Sequence, residues 1–196
     1  MDRIVVVTGT PGVGKTTLAR GLAGKLGLQL IDLSELVKRE RLYTSYDRTR
    51  GSYVLDERLA SRALAKMLGK GSVVATHYLG SILPRDSVSL AIVLRLDPVA
   101  LYRRLRAKGW TRRKTWENVE SELLDACYFD AVKLLGQRKV LEINTSGKSK
   151  SRVLSEALRI IERKTRGSRR RVDWLEAYDP IVLGRSLGVG HAVLDC

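Results

Sequence analysis

The sequence GTPGVGKTT at residues 9–17 constrains the fold more than any other stretch of the chain. It contains the pattern G-x-x-x-x-G-K-[ST], with Gly9, Gly14, Lys15 and Thr16 at the fixed positions. The apolar run before it predicts a strand and the segment after it predicts a helix, which is the context that a phosphate-binding loop requires. Backbone N–H groups of such a loop wrap a β-phosphate, and the helix N-terminus adds partial positive charge. The motif therefore predicts a nucleotide-binding α/β domain.

Apolar, β-branched runs recur along the chain and alternate with helical patterns. Five of these runs predict strands, at residues 4–7, 28–33, 72–77, 90–96 and 139–144. Continuous apolar strands that alternate with helices favour a parallel sheet covered on both faces. We therefore expect a doubly wound, five-stranded parallel sheet within residues 1–165. Residues 166–196 are expected to form a basic linker and a C-terminal extension, in which Trp174 and several aliphatic residues can pack against other parts of the protein.

Two segments interrupt the alternation of strands and helices. Residues 34–56 mix charged side chains with three tyrosines and form no simple crossover, so we expect a small helical insertion there. Residues 103–114 carry seven basic residues and no acidic one, with a hinge at Gly109, which predicts a mobile basic flap. Small-molecule kinases pair the phosphate-binding loop with an acceptor-binding insertion and a lid that excludes water. A GTPase is not favoured, because the chain has no N-K-x-D motif.

The formal net charge of +15 favours a polyanion such as RNA as a partner, although a solvated basic surface is the alternative. Only Cys127 and Cys196 are present, so neither a disulfide framework nor a four-cysteine zinc site can form. The chain has no charged-then-apolar leader and no apolar run of about eighteen residues. These features predict a soluble, cytoplasmic protein without membrane association.

Several segments beyond the loop resemble the adenylate kinase isoenzyme 6 family. They are GTPGVGKTTLA, LIDLSELVKRERLY with SYVLDE, the strand that ends in TH, and IVLRLDPVALYRRLRAKGW followed by ENVESELLDA. That family comprises atypical nucleoside monophosphate kinases that also assist maturation of the small ribosomal subunit. The resemblance covers about residues 3–145. It implies a P-loop nucleoside monophosphate kinase fold, ATP and Mg²⁺ as cofactors, and AMP or another nucleoside monophosphate (NMP) as acceptor. It also implies a small-subunit ribosomal protein and rRNA as partners.

The resemblance also implies roles for individual residues. ATP would be held by Gly12, Val13, Gly14, Lys15, Thr16, Thr17 and Lys108. Lys15 would bridge the β- and γ-phosphates, and the Thr16 hydroxyl would ligate Mg²⁺. The NMP-binding insertion would span about residues 32–55, and a short lid would span residues 107–117.

The expected catalytic residues besides Lys15 are Arg104 and His77. Arg104 belongs to a basic group that would spread over the transferring phosphoryl oxygens, although a basic helix end would have the same sequence. His77 is the last residue of the third predicted strand, at the edge of the sheet where ligands gather. Lys38 and Arg85 are the expected acceptor contacts, and an ordinary exposed charge is the alternative for each.

Ala75 departs from the family pattern, which has an acidic residue two positions before the histidine. That acid would organise the waters around Mg²⁺. Asp56, Asp97 or a water shell can compensate, or turnover can be weak. Three functions stay open from the sequence: an NMP kinase, a ribosome-assembly ATPase whose monophosphate transfer is incidental, and a P-loop kinase for a different acceptor.

Overall fold

The computed structural model describes residues 4–48, 51–68, 71–80, 82–162 and 171–189. The strands within these ranges are β1 (Ile4–Thr8), β2 (Gln29–Asp32), β3 (Tyr43–Asp47), β4 (Ser52–Leu55), β5 (Ser72–Ala75), β6 (Val88–Arg95) and β7 (Val140–Asn144). Five of them form one parallel sheet in the order β2-β5-β1-β6-β7. The five predicted strands and the doubly wound α/β fold are confirmed.

Helices cover both faces of this sheet. They are α1 (Lys15–Leu26), α2 (Leu33–Arg39), α3 (Glu57–Met67), α4 (Pro98–Ala107), α5 (Arg112–Leu123), α6 (Ala126–Leu135), α7 (Lys150–Glu162) and α8 (Pro180–Ser186). Alternate residues of β1 point to opposite faces. Val5 and Val7 therefore join the core cluster that contains α1, α4, α5 and α7, whereas Ile4 and Val6 join the cluster that contains α2, α3 and α6.

The prediction of a helical insertion is wrong for its second half, because β3 and β4 pair as antiparallel strands after the short helix α2. Tyr46 pairs with Tyr53 across the hairpin, and the ring centroids lie 5.0 Å apart. The Tyr43 and Tyr53 rings are 4.3 Å apart. Aromatic and β-branched residues favour strands, and cross-strand ring pairs stabilise them. These tyrosines therefore explain why the segment is not helical.

The described part of the C-terminal extension, residues 171–189, packs into the same core as α5. Trp174, Leu183 and Val189 are buried in that cluster. A side chain at Gly184 would lie 3.2 Å from the Trp116 ring, so α8 makes a close approach to α5. The basic run at residues 166–170 and Cys196 lie outside the described residues. Within the described ranges, no helix is both long and apolar enough to cross a bilayer.

Candidate active site

The glycines of the loop at residues 9–17 allow its close approach to β6 and α4. Gly9 has a φ of 134°, and a Cβ there would lie 2.4 Å from the Leu94 carbonyl oxygen. Gly12 has a φ of 96°, and a Cβ there would lie 2.8 Å from the Leu105 side chain. L-residues rarely adopt such φ values, and the space is already filled. Glycine is therefore required at both positions.

The loop leads directly into the N-terminus of α1. Gly14 is the N-cap, with a φ of 113°, and no side chain caps the helix by a hydrogen bond. The first N–H groups of a helix have no intrahelical acceptor, and they carry partial positive charge. The end of α1 is therefore suited to bind phosphate oxygens.

The Lys15 side chain folds back across the loop. Its Nζ atom donates hydrogen bonds to the carbonyl oxygens of Gly9 at 2.8 Å and Thr10 at 3.0 Å. Burial lowers the pKa of Lys15 from 10.5 to about 8, against the opposing effect of Cys127 and Asp32. The ammonium is therefore still mostly charged at neutral pH, and it lies inside the loop.

An acidic residue that the sequence analysis missed lies beside Thr16. The Thr16 hydroxyl donates a 2.6 Å hydrogen bond to Oδ2 of Asp32, the last residue of β2. Oδ1 of Asp32 accepts from the backbone N–H groups of Ser34 and Glu35, which caps α2. Asp32 is also the register partner of Ala75 on β5. The Asp32 carboxylate therefore lies next to Ala75, the position at which the family pattern has an acidic residue.

Asp56 and Asp97, the two acids considered as substitutes, cap helices instead. Asp56 accepts from the Leu59 N–H at the start of α3. Asp97 accepts from the Ala100 N–H at the start of α4 and from the Tyr178 hydroxyl. The sequence contains a signal for the location of Asp32 beside the loop. Asp32 ends an apolar strand and precedes a helix, which places it at the carboxyl edge of a parallel sheet.

Three other predicted residues lie around the same loop. Arg104 donates to the Gly12 carbonyl oxygen at 3.1 Å. The Lys108 charge lies near enough to contribute to the lowered pKa of Lys15. Packing around His77 lowers its pKa, the Lys15 charge lowers it further, and Asp32 opposes the shift. The imidazole therefore lies close enough to Lys15 and Asp32 for both charges to act on it, and its neutral form is favoured although the residue as a whole is exposed.

The predicted acceptor contacts, Lys38 and Arg85, have no described hydrogen bond to the loop. Lys38 is exposed on α2, and Arg85 is exposed in the turn before β6, where its carbonyl oxygen accepts from Lys139. The hydrogen bonds described for this chain join neither side chain to the loop. Their role as acceptor contacts stays a prediction.

The insertion and the lid touch each other. Lys114, in the first turn of α5, donates to the Gly51 carbonyl oxygen at 3.1 Å in the hairpin turn, and its ammonium lies 4.5 Å from the Trp110 ring centroid. The first turn of α3 lies near His77, because the neighbouring Tyr78 hydroxyl bonds to Glu57. An open groove of about 510 Å³ runs along α3, and its lining includes Glu57, Arg58, Ser61 and Arg62.

Comparison with known proteins identifies the family. A family model described as "AAA domain" matches residues 5–125. A protein of Methanocaldococcus jannaschii named "Putative adenylate kinase" is 33% identical over 175 residues, which cover 89% of this chain and 94% of the relative. A protein of the same name from Thermococcus kodakarensis is 36% identical over 190 residues, with coverage of 91% and 97%. The chain belongs to the same family as these archaeal proteins named "Putative adenylate kinase". The family assignment supports a nucleotide-binding P-loop at residues 9–17.

Solved structures support the same fold. Shikimate kinase from Acinetobacter baumannii in complex with shikimate aligns with a TM-score of 0.59 at 16% identity, covering 83% of this chain and 94% of that chain. A gluconokinase from Sinorhizobium meliloti aligns with a TM-score of 0.51 at 16% identity, covering 83% and 93%. At these identities the likeness concerns the fold, which is that of P-loop kinases.

Proposed function

We propose that this protein is an adenylate kinase-like enzyme that transfers the terminal phosphate of ATP to AMP or another NMP. The observation that carries the proposal is the arrangement of Lys15, Thr16 and Asp32 around the N-terminus of α1. The names of the archaeal relatives support a nucleoside monophosphate as acceptor. Several segments of the sequence support the more specific resemblance to the isoenzyme 6 family.

Phosphoryl transfer of this kind depends on positioning and on charge stabilisation. The N–H groups at the start of α1 would bind the β-phosphate. Lys15 would exchange its bonds to two loop carbonyl groups for bonds to the β- and γ-phosphates, so ATP would replace contacts that already hold the ammonium in place. Arg104, which lies against Gly12, is the candidate to stabilise charge on the transferring group.

The oxygen atoms of Thr16 and Asp32 fit a magnesium site. Mg²⁺ prefers oxygen ligands, keeps several waters and uses few protein carboxylates. Thr16 would be a direct ligand, and Asp32 would hold either the ion or its water. When bound, Mg²⁺ neutralises charge on the β- and γ-phosphate oxygens. In the described ranges, no group of three His, Cys, Asp or Glu side chains could hold a metal ion, so phosphate and water would complete the coordination.

The acceptor would bind between the hairpin and the start of α3. The Lys114–Gly51 contact brings the lid against the hairpin, which would exclude water from the γ-phosphate. Arg58 and Arg62 line the groove along α3 and join Lys38 and Arg85 as candidate contacts for the acceptor phosphate. His77 would take part in a slower reaction with water, since a neutral imidazole can accept a proton from it.

A coupled assay tests the proposal. ADP formation from Mg-ATP is measured with AMP, with each other common monophosphate, and with none. We expect AMP or one other monophosphate to accelerate ADP formation well above the rate of phosphate release with ATP alone. Equal rates under all conditions would contradict the kinase proposal and favour an ATPase.

A second function, in maturation of the small ribosomal subunit, is favoured by the net charge of +15 and by the family resemblance. In this proposal the protein acts in the cytoplasm, and ATP turnover controls its contacts with rRNA and a small-subunit protein. Binding through phosphates releases counterions, so affinity for small-subunit rRNA fragments should fall steeply with salt. Binding that is absent, or insensitive to salt, would contradict an rRNA contact. A kinase acting on a different small acceptor stays the third candidate.

A further inference from the structure

A hydrogen bond ties the phosphate-binding loop to a buried carboxylate behind it. The Thr10 hydroxyl donates to Oε2 of Glu122 across 2.5 Å, and the two residues are only 1% and 2% exposed. The backbone carbonyl of the same Thr10 accepts from the Lys15 ammonium. Glu122 therefore holds the residue whose carbonyl group holds Lys15.

The second oxygen of Glu122 is held from three directions. Oε1 accepts from Arg95 Nε at 2.8 Å, from the Leu96 N–H at 3.1 Å and from the Trp174 indole N–H at 3.1 Å. A buried carboxylate without such partners would carry a large desolvation cost. Because the donors belong to the end of β6 and to the C-terminal segment, these parts of the chain together fix the position of the carboxylate.

Glu122 thus connects parts of the molecule that are distant in sequence. It lies on α5, which begins in the lid, and it bonds to the loop and to Trp174, 52 residues further along the chain. Trp174 packs into the same hydrophobic cluster as Val13 of the loop and Leu18 of α1, and its indole N–H is bonded to Glu122. Among the described hydrogen bonds, Trp174 is joined to the loop through Glu122 and Thr10.

We propose that Glu122 is a positioning residue for the nucleotide and that Trp174 supports it, so the C-terminal segment controls nucleotide affinity without touching the nucleotide. This inference rests on the proposed nucleotide-binding function of the loop. If Glu122 loses its contact with Thr10, the loop gains conformations in which the Thr10 carbonyl no longer faces Lys15. Groups behind a binding residue commonly determine its orientation in this way.

Binding of the fluorescent analogue mant-ATP with Mg²⁺ tests the inference in the full-length protein. Thr10→Val removes the hydroxyl and should raise Kd by about tenfold, whereas Thr10→Ser should restore most of the affinity. Trp174→Phe keeps an aromatic ring but removes the N–H donor, and should raise Kd by about threefold. Tyr178→Phe is the matched control, because it removes another hydrogen bond between this segment and the core, to Asp97, and should leave Kd unchanged.

The double variant Thr10→Val with Trp174→Phe separates positioning from a general loss of stability. If Trp174 acts through Glu122 and Thr10, its substitution should have little further effect once the hydroxyl is gone. All Kd values are measured well below the unfolding temperature of each variant. The inference would be overturned if Trp174→Phe left Kd unchanged, or if it raised Kd by the same factor in the wild type and in the Thr10→Val protein. In either case, binding of mant-ATP by the wild type would leave the proposed function intact. A wild-type protein that does not bind mant-ATP would overturn both.

Discussion

The Thr16 hydroxyl donates a 2.6 Å hydrogen bond to the Asp32 carboxylate, which joins the first turn of α1 to the last residue of β2. The two oxygen atoms lie at the carboxyl edge of the sheet, beside the end of the helix that is proposed to bind phosphate. Parallel strands end at the same edge, so β2 can present an acid beside the position that Ala75 occupies on β5. The site therefore contains a carboxylate that a comparison confined to the TH motif misses.

Asp32→Asn should raise the Mg²⁺ concentration needed for half-maximal ATP turnover by about tenfold, because residues that hold a metal or its water usually contribute that much. The amide keeps one oxygen to cap α2, so the fold should be retained. Asp56→Asn, which changes a similar capping residue on α3, is the control and should leave the Mg²⁺ requirement unchanged. Titration of turnover against Mg²⁺ at saturating ATP makes the measurement.

Ala75→Asp should destabilise the wild-type protein, but it should improve Mg²⁺ binding by the Asp32→Asn protein. In the wild-type protein it places a carboxylate at a buried position about 5 Å from the partly buried Asp32 on the neighbouring strand, so repulsion should lower the unfolding temperature. In the Asp32→Asn protein it should instead restore part of the Mg²⁺ affinity, since one carboxylate is again present. Thermal unfolding and Mg²⁺ titration are measured for the wild type, the two single variants and the double variant. A lower Mg²⁺ requirement for Ala75→Asp alone would show that the two acids act together.

Lys15→Ala should reduce kcat/KM for ATP at least tenfold, because Nζ is the ammonium that the loop itself holds in place. Lys25→Ala is the control, since it removes an exposed charge from the last turn of the same helix. Steady-state phosphate transfer by the two variants is the measurement. Equal turnover of Lys15→Ala and the wild type would contradict the assignment of the site.

The parallel sheet could be predicted from the sequence because β1 and β5 are buried on both faces along their whole length and are therefore continuous apolar runs. The loop could be predicted because its glycines and lysine act within one short segment. The hairpin was missed because its tyrosines lie among charged residues, and that composition does not distinguish a strand from a helix. Tyrosine pairing across the turn decides the structure, and it depends on residues several positions apart.

The acidic residues behind the site could not be assigned from the sequence for a different reason. Glu122 lies in the segment ENVESELLDA, where each acid is equally consistent with an exposed helix face. Only the packing of α5 against β6 shows that this one is buried and bonded to Thr10. The same holds for Trp174, whose apolar surroundings predict packing but not its bond to a carboxylate.

Arg95→Met should lower the free energy of unfolding by about 3–5 kcal/mol, because it removes the cation paired with the buried Glu122 and Glu142 side chains, while Asp125 keeps its ion pair with Arg171. The guanidinium forms ion pairs with Glu122, Asp125 and Glu142, all buried beside it. Arg39→Met is the control: it removes an exposed ion pair and should change stability by about 0.5 kcal/mol or less. Urea unfolding of both variants makes the comparison.

The effect of Arg95→Met should also depend on pH. Burial raises the pKa of the Glu142 carboxyl, and Arg95 opposes this shift. Without Arg95, Glu142 should therefore bind a proton more tightly in the folded state than in the unfolded state. Lowering the pH from 8 to 5 should therefore narrow the stability gap between the variant and the wild type. A gap that is constant over this range would show that lost packing, not uncompensated charge, destabilises the variant.

Cys127 should react slowly with iodoacetamide until strongly alkaline pH. Burial raises the pKa of its thiol from 9.0 to about 11, although the nearby Lys15 charge opposes this shift. Only the thiolate is alkylated, so at pH 7.5 the rate should be about a hundredfold below that of an ordinary thiol and should rise until pH reaches about 11. The rate is measured in a Cys196→Ser background, with the Cys127→Ser, Cys196→Ser protein as the blank and glutathione as the reference. A rate that levels off near pH 9 would mean that the thiol is hydrated, and that the packing of α6 against the loop is looser than the structure shows.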